Sequence, residues 1–197
     1  MGAPALTIAI LAGGAASRLG GRDKGLALLD GRALIDHVLD AARLMHPGQA
    51  NLLVVANRNL DAYARRAPTI PDAIPGQRGP LAGIAAALGA CTTPWLLTLP
   101  VDCPDPPADL HARLADAAAR HDVAALVAHD GERRQPLFAL YRRELAIAAA
   151  GAAMAGQGVA RWQDSIGVLD VDFADARRQF HNLNTPEDFA AHGTQPR

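Results

Sequence analysis

Residues 11–29, LAGGAASRLGGRDKGLALL, combine paired glycines with full positive charges. Glycine lets a backbone adopt positive φ angles, and successive N–H groups in such a turn form a concavity that binds phosphate oxygens. Arg18 and Lys24 add charge, and an arginine can grip a phosphate through two hydrogen bonds. The familiar spacings GxxxxGKS/T and GxGxxG do not occur in this stretch. It predicts a phosphate-binding loop of another kind, the alternative being a glycine-rich surface turn.

Two aspartates are the candidate acids. Asp102 ends an apolar run in TLPVDCPDPP, residues 98–107, where prolines force an abrupt turn. Magnesium keeps several waters and takes one or two carboxylates beside substrate phosphates, so Asp102 is a candidate Mg²⁺ ligand. Asp72 closes a short extended run before GPLAG at 79–83, which opens a predicted helix. The alternative for each acid is a turn or helix-capping role.

The elements that must position these residues alternate along the chain. Short apolar runs predict strands at 5–11, 51–56, 95–100, 122–129, 136–141 and 168–173. Helical spacing of apolar residues occurs at 33–45, 80–90 and 107–120. This alternation predicts a three-layer α/β domain with a mostly parallel sheet, which binds ligands at the carboxyl ends of its strands. Residues 151–167 show no clear pattern.

Length and charge restrict the classes of function. A chain of 197 residues fits one domain, 1–197. Nineteen Lys+Arg balance twenty Asp+Glu, which argues against broad nucleic-acid or membrane-surface binding and makes any anion site local. No run approaches the roughly 18 apolar residues of a membrane span. The start of the chain has no basic leader. We therefore expect a soluble, cytoplasmic protein without nucleic-acid or membrane partners.

The opening motif resembles that of the molybdenum cofactor guanylyltransferases. Their pattern is LAGG, three variable residues, RMGG, one variable residue and DK, with GxPL downstream. Here Leu19 stands at the usual methionine and Ala33 at the usual proline. Related cytidylyltransferases usually open with LAAG and lack the GGxDK ending, so Gly13 and the Asp23–Lys24 pair favour the guanylyl branch.

The resemblance extends from Leu11 to Asp188 and implies a three-layer Rossmann-like nucleotidyltransferase fold. It implies transfer of GMP from GTP to the terminal phosphate of molybdopterin, with or without molybdenum bound, and release of pyrophosphate. The implied cofactor is Mg²⁺. The implied partners are GTP and molybdopterin or the molybdenum cofactor, together with cofactor-delivery proteins and molybdoenzymes.

The resemblance also implies roles for individual residues. The nucleotide would contact Leu11, Ala12, Gly13, Gly14, Lys24, Asn57, Asp72, Gly79 and Asp102. The catalytic set would be Arg18, Lys24 and Asp102, with Asp102 as the metal ligand. Asn57 follows the strand at 51–56, where the family carries N-x-N-R. Val55 stands at the first of those asparagines.

The acceptor side lies late in the chain. RRQPLFALY at 133–141 and FHNLNTPEDFAAH at 180–192 resemble two family motifs. Gln135, Asn182 and Asn184 offer amides suited to the edge of a pterin, and Thr185 is a predicted N-cap. Two alternatives stay open: a cytidylyltransferase or sugar-phosphate nucleotidyltransferase, and a non-catalytic carrier of GTP and molybdopterin.

Overall fold

The computed structural model describes residues 5–13, 23–46, 50–72, 74 and 79–193. Its strands are β1 (Leu6–Leu11), β2 (Leu28–Leu29), β3 (Arg32–Ala33), β4 (Ala50–Val55), β5 (Thr69–Ile70), β6 (Trp95–Pro100), β7 (Ala125–His129), β8 (Arg134–Arg142) and β9 (Leu169–Asp172). Its α-helices are α1 (Leu34–Met45), α2 (Leu60–Ala64), α3 (Pro80–Ala90), α4 (Leu110–Arg120), α5 (Ala146–Met154), α6 (Val159–Ile166) and α7 (Pro186–Gly193). Strands and helices alternate as the sequence predicts.

Seven of the described strands form one sheet in the order β5-β4-β1-β6-β8-β7-β9. The central strand β1 pairs in parallel with β4 and β6, and its last residue, Leu11, lies opposite Val55 and Pro100. Within this sheet β8 alone runs against its neighbours. It follows β7 through a four-residue turn, and so short a connection can join only antiparallel strands. The expected mostly parallel α/β fold is confirmed.

Helices cover both faces of the sheet. Ile8 and Ile10 of β1 point into a core built with α1 and α4. Ala9 and Leu11 point into a second core built with α3, α5 and α6. Every residue of β1 is buried, as expected for a strand with helices on either side. This is the predicted three-layer arrangement.

Some boundaries differ from the sequence-based expectation. The helix expected over 107–120 begins at Leu110, because residues 107–109 form a turn in which the Leu110 N–H donates to the Pro107 carbonyl. Residues 151–167, which gave no clear pattern, contain the end of α5 and all of α6. Helix α5 reads AIAAAGAAM and lacks a polar face, so it has no amphipathic signal to detect.

The carboxyl ends of four parallel strands meet at one edge of the sheet. β1, β4 and β6 end in register at Leu11, Val55 and Pro100, and β5 ends beside β4 at Ile70. The segments that follow these strands therefore converge on this edge. Across the part of the chain that the structure describes, no helix is long and apolar enough to cross a bilayer.

Candidate active site

A cavity of about 360 Å³ opens at the carboxyl edge of the sheet. Small-molecule sites typically enclose about 300–1,000 Å³. Residues that the sequence singled out form much of its wall: Leu11, Ala12, Gly13, Lys24, Asp72, Gly79 and Asp102. Apolar and glycine residues complete it: Val55, Pro80, Gly83, Pro100, Val101 and Leu137. The fold thus gathers the glycine motif, both candidate acids and the GPLAG turn around one space.

Lys24 links two other motifs at this cavity. Its Nζ donates to Asp102 Oδ2 at 2.7 Å and to Asn184 Oδ1 at 2.6 Å. The Lys24 and Asp102 side chains are each about one-fifth exposed, so both remain accessible from the cavity. Three segments that are far apart in sequence therefore meet at one ammonium group. The sequence predicts an acceptor-side role for Asn184, and the structure places its side chain in contact with Lys24.

The segment that carries Asn184 is fixed at both ends. The Leu183 N–H donates to the Asp102 carbonyl at 2.8 Å. Asp188 Oδ2 accepts from the N–H groups of Asn184 at 2.7 Å and Thr185 at 2.8 Å, while Thr185 Oγ1 accepts from the Asp188 N–H. This reciprocal cap begins α7 and confirms the predicted helix start at Thr185. Hydrogen bonds from the Asn184 and Thr185 N–H groups lower the pKa of Asp188.

Asp72 is held at the cavity by Asn57. Asn57 Nδ2 donates to Asp72 Oδ2 at 2.7 Å, and Asn57 Oδ1 accepts from the Asp72 N–H at 3.0 Å. Gly13 packs against the same amide, since a Cβ on Gly13 would lie 3.3 Å from Asn57 Nδ2. Asn57 therefore holds Asp72 and lies against Gly13, both of which line the cavity. Direct contact of Asn57 with the nucleotide stays a prediction.

The GPLAG turn brings the start of α3 to the cavity. Gly79 has φ of +76°, in the region that favours glycine, and Pro80 occupies the first turn of the helix. Gly79, Pro80 and Gly83 all line the cavity. The N-terminus of α3, where the helix dipole is positive, therefore adds to the positive charge of Lys24.

The remaining predicted site residues lie either outside the described residues or outside the wall of the cavity. Gly14 and Arg18 lie outside the described residues. Gln135, near the start of β8, donates from Nε2 to Asp130 Oδ2 at 2.6 Å in the turn that precedes the strand, and it is not among the lining residues. Asn182 buries its Oδ1, which has no hydrogen-bond partner among the described residues. Acceptor binding by Gln135 and Asn182 stays a prediction.

Sequence reasoning missed a group of polar residues behind Lys24. Asp23 Oδ1 accepts from the Gly25 N–H at 3.1 Å and from the Tyr63 hydroxyl at 2.5 Å. Asp23 Oδ2 accepts from Asn59 Nδ2 at 2.9 Å. The only signal in the sequence was the acid beside Lys24. Tyr63 and Asn59 belong to a different segment and carry no recognisable spacing.

The acids of the cavity fit a hard divalent cation that is completed by other ligands. No group of three His, Cys, Asp or Glu side chains forms a complete metal site within the described ranges. Asp102 and Asp72 nevertheless present carboxylates to the cavity wall. Magnesium requires only one or two such carboxylates when phosphates and water supply the rest. Asp102, next to Lys24, is the carboxylate that fits this role.

Comparison with known proteins identifies the family. The family model described as "MobA-like NTP transferase domain" matches residues 8–168. The chain belongs to this family. It is 43% identical over 185 residues to a molybdenum cofactor guanylyltransferase of Vibrio cholerae, covering 93% of this chain and 89% of that protein. It is 40% identical over 180 residues to one of Shewanella sp. strain MR-4, covering 90% of each. The resemblance noted in the sequence is confirmed.

Solved structures share the fold. The molybdopterin-guanine dinucleotide biosynthesis protein A of Archaeoglobus fulgidus superposes with a TM-score of 0.77 at 24% identity, covering 94% of this chain and 95% of that one. A 2-C-methyl-D-erythritol 4-phosphate cytidylyltransferase of Thermus thermophilus gives 0.65 at 21% identity, with 93% and 95% coverage. At these identities the likeness concerns the fold, which is that of Rossmann-like nucleotidyltransferases.

Proposed function

We propose that this protein transfers GMP from GTP to the terminal phosphate of molybdopterin, forming molybdopterin guanine dinucleotide and pyrophosphate. The observation that carries the proposal is the contact of Lys24 with both Asp102 and Asn184 at one cavity. It joins the predicted phosphate-binding, metal-binding and acceptor-binding motifs at a single point. The name shared by relatives at about 40% identity supports the same reaction.

The cavity wall divides into parts suited to different portions of GTP. Leu11 to Gly13 continue from the central strand, and their backbone is the proposed contact for the guanosine. Asp72, held by Asn57, completes that pocket together with the GPLAG turn. Lys24 and the start of α3 supply positive charge for the phosphates. Arg18 would add a further positive charge, and Gly14 would offer its backbone N–H to the phosphates.

The chemistry requires positioning more than proton transfer. An oxygen of the acceptor phosphate attacks the α-phosphorus of GTP, a new P–O bond forms, and the bond to pyrophosphate breaks on the opposite side. The attacking oxygen is already anionic at neutral pH, so no general base is needed. The protein's part is to align the two phosphates and to offset charge on the leaving group. Lys24 and Arg18 are the residues proposed for the second task.

Asp102 is the residue that would hold Mg²⁺. When bound, the cation would neutralise phosphate charge and polarise the P–O bonds. Lys24 Nζ shares the Asp102 carboxylate in this structure, so the lysine and the metal would act on the same phosphates from adjoining positions. Asp72 would remain with the nucleoside because Asn57 holds its carboxylate.

The acceptor is proposed to approach from the segment that carries Asn184. That side chain contacts Lys24, so an amide of the proposed pterin site adjoins the proposed phosphate site. Asn182 and Gln135 are further candidates on the same side. Cofactor-delivery proteins, molybdoenzymes and a cytoplasmic location remain predictions from the sequence.

Phosphate labelling tests the proposed reaction directly. The protein would be incubated with molybdopterin, Mg²⁺ and GTP labelled at either the α- or the γ-phosphate. We expect the α label in the pterin product and the γ label in pyrophosphate. A carrier of GTP and molybdopterin would leave both labels in GTP, and that result would refute the transferase proposal.

A further inference from the structure

The side chain of Asp23 is anchored to α2 and the residue before it. Its two carboxylate oxygens accept hydrogen bonds from Tyr63 and Asn59, and Oδ1 also accepts from the Gly25 N–H. Asn59 precedes α2 with a left-handed φ of +50°, and Tyr63 lies within the helix. We call Asp23, Asn59 and Tyr63 the Asp23 clamp. It ties the start of the Lys24 turn to an element that does not line the cavity.

The clamp restrains the backbone immediately around Lys24. Lys24 begins a 3₁₀ turn in which the Leu26 N–H donates to the Asp23 carbonyl and the Ala27 N–H to the Lys24 carbonyl. Gly25 is pressed against the clamp, since a Cβ there would lie 2.4 Å from the Tyr63 hydroxyl. Both neighbours of Lys24 are therefore fixed by contacts with Tyr63. The side chain of Lys24 leaves this rigid base towards Asp102.

The Tyr63 hydroxyl is suited to remain a hydrogen-bond donor to the Asp23 carboxylate. It is fully buried, and burial together with the hydrogen bond to Asp23 raises its pKa. The hydroxyl therefore stays protonated and donates at any working pH. Hydrogen bonds to a charged partner are stronger than neutral ones. Asn59, by contrast, is exposed, so its bond to Asp23 Oδ2 can be removed without opening the core.

We infer that Tyr63 and Asn59, acting through Asp23, are positioning residues that set the location of the Lys24 ammonium group for GTP. The inference rests on the proposed role of Lys24 in binding the GTP phosphates. It adds that this role depends on hydrogen bonds made behind the cavity. Neither Tyr63 nor Asn59 touches the substrate in this account.

The test is a double-mutant cycle between Tyr63 and Lys24. Tyr63→Phe removes only the hydroxyl, and we expect kcat/KM for GTP to fall roughly tenfold, as for loss of a hydrogen bond to a charged group. In the Lys24→Ala background the same change should cost nothing further, because there is no ammonium group left to position. Binding of GTP, measured as Kd, should show the same coupling.

Two variants serve as references. Tyr141→Phe removes the hydroxyl of another fully buried tyrosine, which accepts from Gln163 and does not line the cavity. It should leave kcat/KM unchanged. Asn59→Gly removes the exposed donor to Asp23 and tolerates the left-handed φ at this position. It should lower kcat/KM by a smaller factor, again only when Lys24 is present. It keeps the test available if Tyr63→Phe does not fold.

The outcomes separate this inference from the proposed function. Unchanged kcat/KM and Kd in Tyr63→Phe, or an equal loss with and without Lys24, would overturn the positioning role. If the wild-type protein transfers no GMP yet the GTP Kd values show the expected coupling, the proposed reaction fails and the clamp stands. A thermal melt of each variant identifies any loss of activity that comes from unfolding.

Discussion

The ion pair of Lys24 and Asp102 is proposed to serve chemistry rather than stability. Both side chains are about four-fifths buried, so the cost of desolvating the two charges offsets much of their attraction, and such a pair is weak evidence for stability. The same two groups line the cavity at which we propose that the GTP phosphates bind. The stability of the fold alone would not require a lysine at position 24. Placing a cation beside a carboxylate and an amide acceptor is useful when a substrate bearing phosphates has to be held.

Lys24→Ala should reduce catalysis, and it should also lower the melting temperature because the largely buried Asp102 carboxylate loses its cation. Loss of a charged hydrogen bond to a phosphate corresponds to about 1.5–3 kcal/mol, so kcat/KM for GTP should fall by roughly 10- to 150-fold. Steady-state pyrophosphate release measures the first quantity and a thermal melt the second. An unchanged kcat/KM would contradict the proposed role of Lys24 in binding the GTP phosphates.

Asp102→Asn should abolish turnover that depends on Mg²⁺. The amide keeps the size of the side chain but lacks the negative charge that a hard cation needs. Activity would be measured across a Mg²⁺ titration, and in wild type a chelator should stop the reaction until Mg²⁺ is restored.

Asp105→Asn is the matched control for this variant. Asp105 lies three residues on, pairs with His192 and is not among the cavity residues. It should retain the Mg²⁺ response of wild type. A wild-type kcat in Asp102→Asn would contradict the metal assignment.

Among the helices and strands, α7 links the stability of the protein to the candidate active site. The Asp188 carboxylate caps this helix and also accepts the N–H of Asn184, whose side chain contacts Lys24. Because these backbone bonds lower the pKa of Asp188, its contribution to stability is complete above the ordinary value of 3.8. It is lost as the pH falls through the lowered value.

Asp188→Asn should accordingly melt at a lower temperature than wild type at pH 7. The difference should shrink at pH values below 3.8, where the wild-type carboxylate also takes up a proton. Melts of both proteins across the acid range provide the comparison. A constant difference at every pH would show that the charge of Asp188 does not stabilise the cap.

The sequence predicts elements well where they carry a strong pattern. Short, mainly apolar runs predicted six of the strands, and helix α3 was predicted with its boundaries. The all-small sequence of α5 and the five residues of α2 carry no comparable pattern. The contact between Lys24 and Asn184 spans 160 positions, and no local rule predicts it. The clamp escaped detection for the same reason, since Tyr63 is 40 residues from Asp23.

For the whole molecule, parallel strands explain why the cavity contains so many of the predicted residues. Segments after β1, β4, β5 and β6 must meet at one edge, so motifs that are separate in sequence become neighbours. The fold does not choose the nucleobase, because solved cytidylyltransferases share it. The central claim, guanylyl transfer, therefore has to be tested on the nucleotide itself.

The most direct measurement compares pyrophosphate release from GTP and CTP in the presence of molybdopterin and Mg²⁺. We expect release with GTP, dependent on molybdopterin, and little or none with CTP. Release with CTP alone would contradict it and assign the protein to the cytidylyltransferases. GTP binding without pyrophosphate release would also contradict it and would indicate a carrier.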